Sequence, residues 1–323
     1  MNTTNHEHER NQANMPNSGD AKGTKPSNTQ LRWRDQIFQN EALNFLMTNR
    51  LGRNAMTLFM GWFSKITQPQ IRDASIWAWR QFAHVDLHDA KKQNFASLHD
   101  CFTRELVAGA RVVDNDDTVM TSPCDAIVGT GGSIAGVVVF QAKDSAYTLN
   151  ELFNSDALAE MYRDGCYVTL RLTSSMYHRF HSPLDGVVTD VSYISGDTWN
   201  VNAPALKRVA RLFCKNERAV ISLDCAHLSM PYRITLVPVA AVLVASIRLH
   251  FLNILFHLRY RGAEKISCNV AVVKGEELGY FEHGSTIIVF APKGFSICEK
   301  IVSGTEIKMG QALMILPIAA AST

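Results

Sequence analysis

The sequence lacks several features that would place it at once in a known class of protein. Its seven cysteines form no Cys-x-x-Cys pair and no zinc-finger spacing, which argues against a disulfide framework and favours reduced thiols in a cytosolic setting. No glycine-rich phosphate-binding loop is found in it, so no nucleotide cofactor is expected. The 32 basic and 30 acidic residues leave a formal charge of +2, which is too small to indicate a nucleic-acid partner.

Long hydrophobic runs are also missing. The most apolar stretch, "ITLVPVAAVLVASI", is bounded by Arg233 and Arg248 and contains Pro238. It is shorter than the roughly 20 residues that a membrane-spanning helix needs, so we predict a buried strand there. Residues 1–30 are polar and rich in asparagine, and we expect them to form a disordered tail and not a signal peptide.

Residues 31–115 carry a helical pattern with an excess of basic and apolar side chains. In "NAMTLFMGWFSK" the small or polar positions recur every three to four residues: Asn54, Thr57, Gly61 and Ser64. The remaining positions form a broad apolar face. Two interpretations fit this pattern, a helix docked on its own domain and a helix lying in a membrane surface. In the second, Arg50, Arg53 and Lys65 would meet anionic head groups.

The pattern changes to β-structure after Val119. Segments such as "YVTLRL", "AVISL", "NVAVV", "STIIVF" and "ALMIL" are β-branched and are separated by turn residues. We therefore predict an α+β protein whose residues 116–323 form a mostly antiparallel β barrel or sandwich. Within this region "SPCDAIV" and "SPLDGVV" resemble each other, which suggests two related turn-and-strand units.

Three polar features of the β-rich region are each weak evidence for a catalytic site, and together they are stronger evidence. Asp125 could simply cap a turn, and Gly284-Ser285-Thr286 could be a tight turn. His178 and His181 lack an acidic or cysteine partner at a metal-binding spacing, so we expect no metal site. Taken together, Ser285, His181 and Asp125 supply a hydroxyl nucleophile, a base and a carboxylate that orients the base.

The context of Ser285 favours an attack on its own main chain. A hydrolase usually presents its serine on an exposed elbow between a strand and a helix, whereas Ser285 is followed by "TIIVF", a stretch typical of a buried strand. The nearest electrophile is the carbonyl carbon of Gly284, which has no Cβ to hinder the approach. Such an attack gives an ester, elimination then breaks the chain, and hydrolysis of the resulting dehydroalanine leaves an N-terminal pyruvoyl group.

Several motifs in this order resemble one known family. They are "FASLHDCFTRELVAGAR", "SPCDA", "YHRFHSPLDG", "NERAV", "KGEELG" and "GYFEHGSTIIVF". The sequence is similar to the phosphatidylserine decarboxylases of the bacterial and mitochondrial type from about Gln39 to Pro317. Each motif is modest by itself, but the complete set is specific.

The resemblance implies a self-cleaving proenzyme. Cleavage between Gly284 and Ser285 would give a β chain of residues 1–284 and an α chain of residues 285–323. Ser285, His181 and Asp125 match the family's self-processing triad, and His178 matches the residue assigned to decarboxylation. The cofactor would be the pyruvoyl group made from Ser285, whose ketone is an electron sink like pyridoxal phosphate.

The resemblance also implies partners and a location. The substrate would be phosphatidylserine, converted to phosphatidylethanolamine and carbon dioxide at an anionic membrane surface. We expect a peripheral protein on the cytoplasmic face of the cell membrane, with its own α and β chains held together, a possible homodimer, and no nucleic acid. Arg179 and Lys215 are candidates for contacting the lipid phosphate.

Two positions depart from the family pattern, and three other functions remain open. Ala126 stands where glycine is usual, so we expect an ordinary φ there, and His283 stands where an apolar residue is usual. The chain could instead be a serine hydrolase acting on a lipid or ester, or a decarboxylase for another seryl substrate. A carrier module is the third alternative, since Val302–Pro317 has the glycine spacing of biotinyl and lipoyl domains. Lys308, however, falls on an alternating strand and not at a hairpin tip.

Overall fold

Helices precede a large antiparallel β region, as a computed structural model of the chain shows. The structure describes residues 52–83, 85–142, 145–227, 230–243, 246–282 and 285–317, and all of these belong to one compact unit. The predicted tail 1–30, Arg50, His283 and Gly284 lie outside the described residues. The fold is α+β with mostly antiparallel sheets, as predicted.

Seven helices occur in the described residues. They are α1 (Arg53–Phe63), α2 (Pro69–Ala83), α3 (Leu98–Phe102), α4 (Leu149–Phe153), α5 (Asp156–Met161), α6 (Ala203–Arg208) and α7 (Leu212–Lys215). The first two lie in the segment where the sequence predicts helices. Four of the five short helices, α3 to α6, begin at capping side chains. At the start of α3, for example, the Ser97 hydroxyl accepts a hydrogen bond from the Asp100 amide at 3.1 Å.

Helix α1 packs through its small polar stripe and exposes its apolar side chains. Thr57 and Ser64 are buried, and the Thr57 hydroxyl accepts a hydrogen bond from the Leu243 amide at 3.0 Å. The outward face is apolar and consists of Met56, Leu58, Phe59 and Trp62, with Trp62 64% exposed. This is the reverse of a helix that covers a soluble core, where the apolar stripe faces inward.

Seventeen strands are described, and they form four sheets. Their bounds are β1 (Val119–Thr121), β2 (Ala126–Ser133), β3 (Val138–Ala142), β4 (Ser145–Thr148), β5 (Cys166–Leu172), β6 (Arg179–His181), β7 (Gly186–Ile194), β8 (Arg218–His227), β9 (Met230–Val239), β10 (Ser246–Leu249), β11 (Ile254–His257), β12 (Lys265–Val272), β13 (Glu277–Phe281), β14 (Ser285–Ala291), β15 (Ser296–Ile297), β16 (Glu306–Ile307) and β17 (Ala312–Ile315). The sheet orders are β12-β7-β8-β9-β14-β5-β2-β16, β11-β10-β13-β6, β1-β17-β15 and β3-β4.

The eight-stranded sheet forms the centre of the fold, and β14 lies in its interior. β14 pairs with β5 on one side and β9 on the other, and each of its seven residues is buried. The run "STIIVF" is apolar without alternation because both faces of the sheet at this point are covered by hydrophobic clusters. The buried strand predicted after Ser285 is therefore confirmed, as is the strand within "ITLVPVAAVLVASI".

The prediction of a barrel is wrong in one respect. Over the described ranges the sheets are open: the largest one ends at β12 and β16 and does not close on itself. Closure requires every strand to have two neighbours, and β16, with two residues, is too short to reach the opposite edge. The layers are instead held by clusters on the two faces of the central sheet.

The two similar segments "SPCDAIV" and "SPLDGVV" adopt matching turns. In each, the serine hydroxyl donates to the carbonyl two residues on, Ser122 to Cys124 at 2.8 Å and Ser182 to Leu184 at 2.6 Å. The turns also bind each other reciprocally, since the amide of Thr121 donates to the Pro183 carbonyl and the amide of His181 donates to the Pro123 carbonyl. The internal similarity therefore brings the turn before Asp125 next to His181.

Ala126 adopts an ordinary backbone conformation, as expected, because it is not among the residues with positive φ. Its counterpart Gly186 is also outside the positive-φ set. At Gly186 a Cβ would lie 2.6 Å from the carbonyl oxygen of Asp224, so glycine is required there for close packing and not for a turn.

In the part of the chain that the structure describes, none of the helices combines the length and the apolar character needed to cross a membrane.

Candidate active site

Ser285 begins strand β14 with a buried hydroxyl group. The residue is fully buried, and in the described part of the chain no group forms a hydrogen bond with its Oγ. Strand β13 before it pairs with β10 and β6, whereas β14 pairs with β5 and β9. Strands β13 and β14 therefore belong to different sheets and do not pair with each other as a hairpin. A buried hydroxyl without a partner is costly, so its presence needs an explanation.

Glu282, two positions before Gly284, is held by a hydrogen bond and an ion pair. Glu282 accepts a hydrogen bond from the Ser246 hydroxyl at 2.6 Å and pairs with Lys65 at 3.1 Å. Burial opposes its ionisation, but the Ser246 hydrogen bond and the charges of His99 and Lys65 outweigh burial and lower the pKa of Glu282. The strand end that leads to the predicted cleavage site is thus tied to the segment that follows α1.

His181 lies in strand β6 with both ring nitrogens occupied. Nδ1 is 3.0 Å from the Gly275 carbonyl oxygen, and Nε2 is 3.1 Å from the Tyr177 hydroxyl. A carbonyl can only accept, so Nδ1 carries the proton and Nε2 accepts from the tyrosine. Burial lowers the pKa of His181 below its ordinary 6.5, although the Gly275 hydrogen bond partly opposes this. His181 is therefore a neutral base near pH 7, in the tautomer that leaves Nε2 as the acceptor.

Asp125 binds an arginine. Arg111 Nε lies 2.8 Å from Oδ1 of Asp125 and Arg111 Nη2 lies 2.6 Å from Oδ2. The amide of Met309 donates to Oδ1 at 2.9 Å, and the carboxylate is 1% exposed. Across the described ranges no hydrogen bond joins Asp125 to His181, although the charge of Asp125 acts on the pKa of His181. Asp125 and His181 therefore lie near each other, but the group that fixes the tautomer of His181 is the carbonyl of Gly275 and not the carboxylate of Asp125.

His178 is buried beside the segment that leads to Ser285. Its carbonyl accepts a hydrogen bond from the Phe281 amide at 3.0 Å, and its ring meets the edge of Phe102 with centroids 5.7 Å apart. His178 and His181 thus occupy different surroundings, His178 against Phe102 and His181 against Tyr177. In the described residues no group of three or more metal-binding side chains clusters.

Arg111 and Tyr177, which contact Asp125 and His181, were not predicted as site residues from the sequence. Arg111 ends the quoted motif "FASLHDCFTRELVAGAR", and Tyr177 precedes His178. A signal for both was therefore present, but a pattern along the chain does not show which charges meet. Burial raises the pKa of the Tyr177 hydroxyl, so it stays protonated and can donate to His181.

An apolar cavity of about 430 Å³ lies between the first helices and the end of β5. Its walls include Met60 of α1, Trp79 of α2 and Phe102 of α3, together with Arg171 and Leu172. Leu172 is directly opposite Ser285 in the pairing of β5 with β14, and Phe102 contacts His178. The cavity therefore reaches the neighbourhood of both Ser285 and His178.

Comparisons with known proteins agree with these features. Residues 98–315 match the sequence model of the family described as phosphatidylserine decarboxylase. A phosphatidylserine decarboxylase proenzyme of Fusobacterium nucleatum is 30% identical over 286 residues, covering 85% of this chain and 89% of the relative. The proenzyme of Vibrio cholerae is 34% identical over 271 residues, covering 80% and 93%. That of Myxococcus xanthus is 30% identical, covering 82% and 95%.

The matched region contains the turn of Asp125, both histidines, and Ser285 with its unpartnered hydroxyl. The identities hold over most of the length of both this chain and its relatives. The chain belongs to the phosphatidylserine decarboxylase proenzyme family.

Proposed function

We propose that this protein decarboxylates phosphatidylserine to phosphatidylethanolamine after cutting itself between Gly284 and Ser285. The observation that supports this most directly is the hydroxyl of Ser285, which is buried and unpartnered at the head of an interior strand. A structural serine in that position would donate to a nearby carbonyl. A hydroxyl kept without a partner remains available to attack the preceding carbonyl carbon.

The surroundings of Ser285 fit a pyruvoyl group made from that residue. The group would stand at the start of β14, with the main chain fixed by pairing to Leu172 and with apolar neighbours that exclude water. When present, its ketone supplies an electron sink for the carbanion left by loss of carbon dioxide. Burial at this position would protect the reacting atoms from unwanted protonation by solvent.

In this proposal His181 is the base for self-cleavage. Its Nε2 carries the lone pair that can accept a proton, and burial keeps the imidazole neutral. Tyr177 donates to Nε2, so the serine must displace the tyrosine before its proton can move to the imidazole. Asp125, bound to Arg111, contributes negative charge to the turn beside His181 and not a direct hydrogen bond.

His178 is proposed to act in decarboxylation. It is packed against Phe102, which lines the cavity, and its main chain is bonded to the strand that precedes the cleavage site. From this position it can hold a proton for the Cα carbon once carbon dioxide has left. The division of roles assigns proton removal from Ser285 to one histidine and proton delivery to the lipid to the other.

Cleavage need not separate the two chains. Strand β14 would belong to the α chain, whereas its neighbours β5 and β9 would belong to the β chain. Both ladders and the buried side chains of β14 would remain in place after the cut. The two products are therefore expected to stay together as one unit.

The outward apolar face of α1 supports association with a membrane surface. Phe59 and Trp62 are more than half exposed on α1, and Trp77 is 65% exposed on α2. A surface patch of this kind marks an interaction site, and aromatic side chains suit the interface of a bilayer. Arg53 pairs with Asp197 and Lys65 pairs with Glu282, so these two cations are partly neutralised. The apolar face then supplies most of the binding, on the cytoplasmic face of the cell membrane.

Mass spectrometry of the purified protein tests the proposal. We expect a fragment of 39 residues (323 minus 284) with a pyruvoyl N-terminus, and release of carbon dioxide from phosphatidylserine. Ser285→Ala should leave the chain uncut and inactive. An intact wild-type chain that still reacts, with Ser285 labelled by a fluorophosphonate, would favour a serine hydrolase and refute the proposal.

A further inference from the structure

Arg171 lies in an apolar cavity and has no counter-charge among the described residues. It lies in β5 and lines the cavity between the first helices and the end of that strand. In the described part of the chain, its guanidinium forms no hydrogen bond or ion pair, and burial alone lowers its pKa. Keeping an unpaired cation half-buried is unfavourable, so the arrangement needs a reason beyond folding.

The other cations near the site are already engaged or out of reach. Arg179 donates to the Thr103 carbonyl and to Glu277, so it has little left to offer a ligand. Arg104 is buried, and only its Nη2 donates, to the Ser175 carbonyl; Nε and Nη1 have no partner among the described residues. Arg104 does not, however, line the cavity. Lys215 is exposed at the end of α7. Of these arginines, Arg171 combines an unused guanidinium with access to the cavity.

The position of Arg171 relates it to the reacting residue. Arg171 is directly opposite Thr286, and the next residue, Leu172, is directly opposite Ser285. Opposed residues in an antiparallel pair lie about 5 Å apart and point to the same face. Thr286 is 1% exposed, and within the described ranges its hydroxyl also lacks a hydrogen-bond partner. The Arg171 and Thr286 side chains therefore share one face of the sheet, and the side chain of Ser285, one residue along the strand, points to the other face.

We propose that Arg171 binds the phosphodiester of the lipid substrate, an inference that rests on the decarboxylase function proposed above. A phosphodiester supplies the missing negative charge and matches the forked guanidinium. In phosphatidylserine the phosphorus lies a few bonds from the amino acid's Cα, so it comes near Ser285 when the head group reacts there. The apolar walls formed by Met60, Trp79 and Phe102 then receive the adjoining hydrocarbon.

The carboxylate of the substrate is the less suitable ligand for Arg171. Decarboxylation turns a charged carboxylate into neutral carbon dioxide, so a guanidinium bound to that group would stabilise the ground state and slow the reaction. The phosphodiester keeps its charge throughout, and binding it anchors the head group equally before and after the reaction. Loss of Arg171 should therefore weaken binding and leave the chemical step almost unchanged.

The test uses purified, self-cleaved protein and dihexanoyl phosphatidylserine below its micelle concentration, so that membrane binding does not contribute. We expect Arg171→Gln to raise KM about 10- to 100-fold, the range for losing a charge-assisted pair, with kcat within about threefold. Arg171→Lys should give an intermediate KM because it keeps the charge without the fork. Arg163→Gln, which changes an exposed arginine paired with Glu160, is the matched control and should leave KM unchanged.

A second measurement separates the phosphodiester from the carboxylate. Dihexanoyl phosphatidylethanolamine keeps the phosphodiester and lacks the carboxylate, so its inhibition constant should rise by the same factor as KM in Arg171→Gln. An unchanged inhibition constant, an unchanged KM, or an equal effect of Arg163→Gln would overturn the assignment to Arg171. A wild-type chain that is uncut or releases no carbon dioxide would instead refute the proposed function itself.

Discussion

Asp125 and Arg111 form a forked ion pair, with Nε 2.8 Å from one carboxylate oxygen and Nη2 2.6 Å from the other. The carboxylate is 1% exposed, and Arg111 also contacts Asp89 at 3.1 Å. The hydrogen bond with Asp125 raises the pKa of the Arg111 guanidinium further above its ordinary value, so the arginine stays charged. This pair, formed across 14 positions of the chain, holds the turn that lies beside His181.

Arg111→Gln should destabilise the protein strongly. It leaves the buried carboxylate of Asp125 without its main counter-charge, and breaking a buried pair in this way costs about 3–5 kcal/mol. The measurement is urea denaturation in a Ser285→Ala background, so that every sample is one uncut chain. Arg163→Gln, which breaks an exposed pair with Glu160, should cost less than about 1 kcal/mol. Equal losses for the two variants would show that the buried pair does not hold Asp125.

Tyr177→Phe should accelerate self-cleavage. The change removes the hydroxyl that donates to Nε2 of His181 and leaves the lone pair open to Ser285. A neutral hydrogen bond contributes about 1 kcal/mol, so the expected gain is about fivefold. The rate is followed by gel electrophoresis after the uncut chain is synthesised in a cell-free system. Tyr280→Phe is the control, since Tyr280 makes ring contacts away from His181. A slower cut in Tyr177→Phe would mean that the tyrosine relays the proton.

The two histidines should separate cutting from turnover. His181→Ala should slow self-cleavage about a hundredfold or more, the usual contribution of a general base, whereas His178→Ala should still be cut and release carbon dioxide far more slowly. Gel electrophoresis and carbon dioxide release report the two steps separately. His88→Ala changes an exposed histidine and should affect neither. The opposite pattern, with only His178→Ala uncut, would exchange the two roles.

Glu217 should make stability depend on pH. Burial raises the pKa of Glu217 to about 8 from an ordinary 4.5, while the Tyr193 hydroxyl donates to one of its oxygens. Between these values the folded state keeps a proton that the unfolded state has lost, so stability falls as pH rises from 4.5 to about 8.

Glu217→Gln removes this penalty. Its stability relative to the parent should increase between pH 5 and pH 8, by at most about 1.4 kcal/mol per pH unit. Urea denaturation in the Ser285→Ala background measures the difference at each pH. Glu299→Gln, which removes an exposed carboxylate, should shift stability by the same amount at both pH values. A Glu217→Gln difference that stays constant with pH would show that the carboxyl is ionised when buried.

Much of the site was predictable because its signals are local. The run after Ser285 has the composition of an interior strand, and β14 has that form with all its residues buried. The repeated Ser-Pro-x-Asp pattern predicts two similar turns, and the structure contains both. These features follow from side-chain types at neighbouring positions, which set the turn and the strand before any distant contact forms.

Residue types along the chain were enough to predict the strands, the paired turns and the side chains capable of chemistry. The tertiary structure alone decided that the large sheet stays open, that α1 turns its apolar face outward, and that Asp125 binds Arg111 instead of His181. Among the described residues it also leaves Arg171 without a counter-charge, in a cavity lined by Leu172, the residue paired with Ser285. The physical reason is that charge pairing, burial and cavity shape depend on distances between segments far apart in the chain, and a local pattern of residue types contains no such distances.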